Sequence, residues 1–481
     1  MSNANLGNST SDFSALSSRE LVYLVEKYSV SGPRYTSYPT AVEFSSALSI
    51  EEWQEAIKTA ANQSSATVGG NLLSLYFHIP FCQSLCYYCA CNKIVPKDRS
   101  LVGPYLAAMS REIRAYAKMF GSETTVKQIH WGGGTPNYLT PSEIRDIHDA
   151  CVQAYPNIAG DAEVSIEVDP RTLSDAHLSA LVGAGFNRIS LGVQDFNPAV
   201  QEAVNRVQSF ELTRNLCNAA RDAGFGGVNI DLIYGLPKQT VRSFIDTIDK
   251  IIEIKPDRIA LYGYAHVQWL QKVQKTLERS ALPQPSERIA IFVESIKRLI
   301  DYGYCYIGMD HFALPNDSLY IALRDGFLMR NFMGYTAHKG AHVIGHGMSS
   351  ISSLAGAYWQ NVKEINRYEL EISRDRFPVE RGLIKSPEDC MRGEIIQDIF
   401  CQGQVDISSF ENRWKMDFWS TFSEPLIHLK GMEQDGLLSI DSQTMRLSSI
   451  GRLFMRNVAM TFDAYLNQHR TRQTPVFSQT V

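Results

Sequence analysis

The sequence predicts an α/β protein, a partial (β/α)6 TIM-like barrel with an N-terminal arm and a small, mostly helical, winged-helix-like C-terminal domain. Three observations carry that expectation. Between Leu72 and Gly263, short runs rich in Val, Ile, Leu and aromatics alternate with helix-patterned stretches. Strands that alternate with helices imply a parallel sheet with right-handed crossovers. The runs end in polar or ionisable residues, or in a glycine loop, as the C-terminal rim of such a barrel does. Beyond about residue 375 the pattern changes to helices and one short hairpin.

The expected units are an arm over 1–50, the barrel over 51–374 and the helical domain over 375–481. In the arm, Ser18 to Tyr28 is helix-patterned. Gly32-Pro33-Arg34-Tyr35-Thr36-Ser37-Tyr38-Pro39-Thr40 follows, where two prolines block helix and favour extended chain. The expected strands are Leu72–Ile79, Val126–Trp131, Ala162–Val168, Arg188–Val193, Gly227–Ile233 and Arg258–Gly263. Stretches such as Tyr105–Phe120 and Ser243–Ile254 supply the helices between them. Tyr304–Phe312 reads as a further strand and turn. Near the end, Gly436–Asp441 and Met445–Ser448 read as a hairpin, and Ile450–Tyr465 as one amphipathic helix. Asp195 and Asp169, just past two strands, read as caps of the following helices.

The chain has 481 residues and a net charge of −5, so no global basic field invites nucleic acid. From Val405 to the end, eight Lys/Arg balance eight Asp/Glu, which leaves the winged-helix-like part without a phosphate-binding stripe. Met1–Ser18 is polar and lacks the apolar stretch of a signal peptide, and no apolar run reaches membrane-span length. A cytoplasmic protein with no membrane span is expected.

Of nine cysteines, four lie in Phe81-Cys82-Gln83-Ser84-Leu85-Cys86-Tyr87-Tyr88-Cys89-Ala90-Cys91. Clustered cysteines in a reducing compartment read as metal ligands or redox groups. Three thiolates from one tight loop can hold three irons of a [4Fe–4S] cube and leave the fourth open. A four-cysteine zinc site is the alternative, although such sites more often use two separated pairs. Phe81, Tyr87 and Tyr88 can shield the group. Trp131-Gly132-Gly133-Gly134-Thr135-Pro136 ends the second strand, and its glycines are expected to admit a ligand and offer free N–H groups. Glu167 and Asp231, on different strands, can converge across the rim for acid/base work or for binding hydroxyl or amino groups. Arg206 reads by itself as a solvated helix residue. His78, His266, His311 and His346 read as core or capping histidines.

Taken together, these residues resemble the radical S-adenosylmethionine enzymes and, among them, the oxygen-independent coproporphyrinogen III oxidase (dehydrogenase) family. The resemblance runs through Gly32–Thr40, Phe77–Cys82, Cys91-Asn92-Lys93, His130–Pro136, Ser165–Pro170, Gly192–Phe196, Asn229–Pro237 and Gly308–Ala313. It implies a radical SAM barrel in which Cys82, Cys86 and Cys89 bind a [4Fe–4S] cluster. It implies that Tyr76, Tyr88, Gly133, Gly134, Thr135, Glu167, Gln194, Arg206, Asp231, Ala265 and Ile351 contact S-adenosylmethionine, two molecules per site. Cys91 matches a cysteine tied to activity rather than to the cluster, and Glu167 is expected to share in catalysis.

The implied reaction converts two propionates of coproporphyrinogen III to vinyl groups through 5′-deoxyadenosyl radicals, giving protoporphyrinogen IX for heme biosynthesis. It implies an electron donor such as flavodoxin or ferredoxin, and a monomer. Arg34 and Lys93 are the expected cations for the substrate carboxylates, and the arm and C-terminal domain are expected to cover the barrel mouth. Ala90 stands where the family has glycine, Tyr88 where it often has Phe, and His346 where it has an apolar residue near the expected cofactor pocket. A heme chaperone or a heme-degrading enzyme of the same superfamily is the nearest alternative.

Overall fold

The computed structural model describes residues 18–47, 49–63, 72–121, 124–277, 281–354, 356–470 and 476–480. The reading of Met1–Ser18 as a polar segment falls, up to residue 17, outside them.

Six parallel strands form the barrel: β1 (Leu72–Ile79), β2 (Thr125–Gly133), β3 (Ile158–Val168), β4 (Arg188–Gln194), β5 (Gly227–Tyr234) and β6 (Arg258–Gly263). They are the six expected from sequence, β1 and β6 with the expected bounds and the other four longer. Their apolar runs suit strands covered on both faces, as parallel sheets are. Helices cross between them, and their starts are written in the sequence. Thr140 with Glu143 closes a capping box on Pro141–Ala154, and Thr240 with Ser243 closes one on Val241–Ile254. Helix Val102–Phe120 lays Tyr105, Met109, Ile113 and Tyr116 on the outer face of the sheet.

The sheet continues past both edges of this set. β7 (Cys305–Gly308) and β8 (His311–Ala313) form an antiparallel hairpin where one strand and turn was expected, and β8 joins β6. A short hairpin, β9 (Met329–Asn331) and β10 (Gly334–Thr336), stands apart. β11 (His342–His346) pairs parallel with β1 on its free edge, followed by antiparallel β12 (Ile351–Leu354), β13 (Ala357–Asn361) and β14 (Val379–Ile384). These four strands have no counterpart in the sequence reading, and β14 lies past residue 375, where the pattern was expected to turn helical.

The remainder is mostly helical. Pro387–Gln402, Ile407–Trp414 and Ser423–Gln434 surround a sheet of β15 (Gln404–Asp406), β17 (Thr444–Leu447) and β16 (Leu438–Ile440). The amphipathic helix expected over Ile450–Tyr465 is broken into a 3-10 turn at Gly451–Phe454 and a short helix at Met455–Met460. Gly451 explains the tight turn: a Cβ there would lie 1.7 Å from the Leu437 carbonyl oxygen. The arm has its helix at Ser18–Tyr28. Beyond it, Arg456 donates to Pro33 O at 3.0 Å and Asn457 to Tyr28 O at 2.7 Å, so the arm is tied to the C-terminal helices.

Candidate active site

The cysteine loop leaves the C-terminal end of β1 and is clasped at its base. Ile94 N donates to Pro80 O at 2.7 Å and Cys82 N to Ile94 O at 2.9 Å. His78 Nε2 donates to Asn92 O at 2.9 Å and Tyr76 OH donates to His78 Nδ1 at 3.1 Å. Burial pushes the His78 imidazole down to about 4, so it stays neutral and holds the loop. Further along, Asn205, Gln274 and Gln271 donate to the carbonyls of Leu85, Tyr88 and Ala90 at 2.8, 3.0 and 3.0 Å. A loop with so many backbone oxygens held presents its sulfurs in a set arrangement.

Around the sulfurs the chain supplies donors and positive charge. Thr135 Oγ1 donates to Cys82 Sγ at 3.4 Å, and Cys86 Sγ faces Arg206 Nη1 at 3.6 Å and Arg171 Nη2 at 3.9 Å. Burial pushes the Cys82 thiol up to about 11 in spite of Thr135, so a thiolate there calls for a bound cation such as iron. Cys89 is drawn down to about 6, first by a hydrogen bond from Cys91 and then by Lys93, whose Nζ donates to Cys89 O at 3.1 Å. Among the described residues no three His, Cys, Asp or Glu side chains gather about one point as a single ion requires. Three thiolates on one held loop, with donors and positive charge around them, suit the ligation of a [4Fe–4S] cluster.

The glycine run is explained differently from the expectation. Its N–H groups are not free: Gly133 N donates to Glu167 Oε2 at 3.3 Å, Gly134 N to Ile79 O and Thr135 N to Phe81 O, both at 2.8 Å. A Cβ on Gly134 would lie 2.5 Å from the Pro80 backbone. Glycine therefore lets β2 lock against the root of the cysteine loop.

Glu167 and Asp231 do converge, as expected, and both line a small inner cavity of about 100 Å3 with His130 and Tyr262. Burial raises the Glu167 carboxyl, but His130 Nε2, donating at 3.3 Å, and Gly133 N outweigh it and hold the group below the ordinary range. Asp231 moves the other way, pushed up to about 6 by burial and by the charge of Glu167. Ser190 and Asn229 donate to it at 2.9 Å each. Two carboxylates held apart in acidity suit one ionised and one proton-holding role.

Above them opens a cavity of about 1100 Å3. Tyr76, Cys91, Gly133, Glu167 and Ile351 are on its wall, with Lys93, Lys272 and Lys363. Ile351 arrives through the unforeseen pairing of β11 with β1, which sets Gly345 opposite Tyr76. Off this cavity's wall, Arg206 and Tyr88 meet at Cys86, and Asp169 pairs with Arg206. Arg206 is buried, not solvated as read from sequence: it donates to Gly192 O at 2.6 Å and pairs with Asp169 at 3.3 Å. Gln194 holds a left-handed φ of 71° beside Arg206, and its side-chain oxygen is buried without a partner. Asp169 and Asp195 are not helix caps. Asp169 binds Arg171 at 2.6 Å and Arg206, while Asp195 accepts from Asn197 N, Thr247 and Gln239, and Asn197 caps the helix instead.

Four expectations do not meet at this cavity. Ala265 and Arg34 line a different cavity outside the barrel. Among the described residues, none of the main cavity's lining belongs to the arm or lies past Lys363, so the described parts of the arm and C-terminal domain do not line it. His346 is fully buried on the far side of β11, among Phe77, Tyr116 and Tyr155, with burial pushing it down to about 3. Arg171 and Gln274 escaped the sequence reading. Arg171 directly follows the Ser165–Pro170 segment, which was the available signal, and Gln274 carried none.

Residues 76–251 match the model of the radical SAM superfamily, and residues 386–454 match that of the HemN C-terminal domain. The chain is 43% identical over 450 residues to the oxygen-independent coproporphyrinogen III oxidase of Salmonella typhimurium, covering 94% of this chain and 96% of that one. It is 41% identical to the Escherichia coli protein of the same name, with the same coverage. The solved structure of coproporphyrinogen III oxidase (HemN) from Escherichia coli, described as a radical SAM enzyme, superposes with a TM-score of 0.85 over 90% of this chain and 97% of that one. A cysteine loop that fits a cluster, set on the rim of a partial parallel barrel, is the architecture these matches share: the chain belongs to the radical SAM superfamily and, within it, to the oxygen-independent coproporphyrinogen III oxidase family.

Proposed function

We propose that this chain converts two propionate side chains of coproporphyrinogen III to vinyl groups without oxygen, giving protoporphyrinogen IX. The observation that carries the reading is the cysteine loop opening onto a 1100 Å3 cavity edged by Lys93, Lys272 and Lys363, cations suited to a substrate with four carboxylates. Cys82, Cys86 and Cys89 are the assigned ligands of a [4Fe–4S] cluster. Tyr76, Tyr88, Gly133, Gly134, Thr135, Glu167, Gln194, Arg206, Asp231, Ala265 and Ile351 are the assigned contacts for two S-adenosylmethionine molecules. Cluster and S-adenosylmethionine, when bound, would supply the one-electron chemistry that removes a hydrogen atom from the propionate, after which CO2 is lost and one electron passes to an external one-electron acceptor.

The chain's own residues prepare the site for that chemistry. Glu167, kept ionised by His130 and Gly133 N, accepts from amino or hydroxyl groups. Val273, Phe332 and Met333 on the cavity wall keep water from the reacting carbon. Arg206 and Arg171 hold positive charge at Cys86. Cys91, whose thiol is hydrogen-bonded to Cys89 and exposed on the cavity wall, is placed to act on substrate or cofactor. An electron donor such as flavodoxin or ferredoxin, a monomeric state and the division into 1–50, 51–374 and 375–481 belong to the same proposal.

The test is anaerobic reconstitution followed by a product assay. The expected outcome is four irons per chain, reductive cleavage of S-adenosylmethionine and formation of protoporphyrinogen IX. Heme binding with no vinyl product overturns the reading in favour of a heme chaperone.

A further inference from the structure

We propose that a second cavity, outside the barrel wall, is a binding site for a small oxyanion bearing carboxylate or phosphate groups. The cavity is about 580 Å3 and shares no lining residue with the main one, although Ala265, one of the assigned S-adenosylmethionine contacts, is on its wall. Strand alternation explains the separation: Asp231 on β5 and Tyr262 on β6 point into the barrel, so Tyr234, Leu261 and Gly263 point out of it. Four distant parts of the chain close the space: Arg34 of the arm, Arg288 of helix Pro285–Asp301, Arg452 and Arg456 of the C-terminal part, and Phe477–Thr480.

Its charge is one-sided. Among the described residues, four arginines face one carboxylate, Asp310, a difference of 4 − 1 = 3 positive charges. Asp310 is already engaged, with His311 Nδ1 at 2.7 Å and Arg34 at 3.9 Å. The guanidiniums are oriented by backbone carbonyls: Arg34 by Gly263 O at 2.8 Å, Arg288 by Tyr264 O at 3.0 Å, Arg452 by Ile307 O at 2.8 Å and Arg456 by Pro33 O at 3.0 Å. Carbonyl dipoles aim these groups but do not cancel their charge. The cations feel one another, since burial and then the charge of Arg34 draw Arg456 down to about 9 and lower Arg288 as well. Arg288 Nε is buried without a partner. Tethering the arm and tail accounts for Arg456, but it gives no reason for Arg34 and Arg288 to share a cavity with it. Uncompensated charge at partly buried guanidiniums is costly, and a bound oxyanion removes that cost through charge-assisted hydrogen bonds.

Calorimetric titration of the reconstituted protein with citrate and, separately, with inorganic phosphate tests this. Saturable binding of either is expected, and the one that binds assigns the source as a polycarboxylate or a phosphate. Arg288→Gln is expected to weaken it at least tenfold and Arg288→Lys less, while cleavage of S-adenosylmethionine stays at the wild-type rate. Arg34→Gln serves where Arg288→Gln does not fold, with the same tenfold loss expected. The site does not exist if neither anion binds the wild type, or if the glutamine variant binds as tightly as the wild type. Neither result depends on whether coproporphyrinogen III is the substrate.

Discussion

The two ends of the barrel hold buried charge in opposite ways. At the lower end, Glu163 meets Arg188 at 3.0 Å and Arg258 at 3.1 Å, and Asp317 meets Arg258 at 2.8 Å and Arg188 at 3.2 Å. Each carboxylate there faces guanidiniums, which outweigh the effect of burial and draw Glu163 down to about 2. At the rim, Asp231 faces another carboxylate and is pushed up to about 6, and the sulfurs of Cys82 and Cys86 take donors from three sides; single buried atoms without partners occur at both ends, Arg188 Nη1 below and Arg206 Nε and Gln194 Oε1 above. Charge that the chain satisfies by itself stabilises the fold, and charge left open is placed for a ligand, as the two faces of such barrels differ generally.

The comparison breaks most sharply at the sulfurs. Cys86→Ser is expected to lose both cluster and product, whereas Cys91→Ser keeps its iron and loses product; iron and sulfide content with a turnover assay separates them. If Cys91→Ser abolishes the cluster, the loop is a four-ligand site and the proposed division of roles fails.

Next in size is the lower network. Asp317→Asn leaves Arg258 and Arg188 short of a charge partner and is expected to cost about 3–5 kcal/mol of stability. Denaturant melts should record that cost while iron per folded chain stays unchanged.

The pH dependence should have opposite signs at the two ends. Glu163 has its folded value below the unfolded one, so its contribution of about 3 kcal/mol is present above pH 4.5 and lost as pH falls towards 2. Asp231 has its folded value above the unfolded one, so it costs about 3 kcal/mol as pH rises from 3.8 through 6. Unfolding midpoints against pH for Glu163→Gln and Asp231→Asn should each lose one of these slopes, and a shared slope would refute the contrast.

The smallest effect is expected on the cavity edge. Lys272→Gln should raise KM for the propionate substrate severalfold and leave kcat near wild type, the loss of one exposed charge-assisted contact of about 1 kcal/mol.

Much of the molecule follows from the sequence alone. Six strands, the capped helices between them and the cysteine loop at the end of β1 are local patterns, set by side-chain period, capping residues and spacing over at most a few tens of residues. The convergence of Glu167 and Asp231 follows as well, because a parallel sheet brings the same ends of its strands together. Tertiary packing decided the rest. β11 finds β1 across more than 250 residues of chain, and its five residues, Gly345 among them, carry no alternation that announces a strand. That pairing brings Ile351 to the site and buries His346 on the opposite side of the sheet. Arg206 looks solvated in sequence and becomes buried only because Asp169 and Cys86 meet it from the loops that follow β3 and β1. The arginine cavity likewise exists only once residues 34, 288, 310, 452 and 456 are folded together. Local periodicity encodes which face of an element is apolar, whereas the partner of a charge depends on which distant segments pack against it.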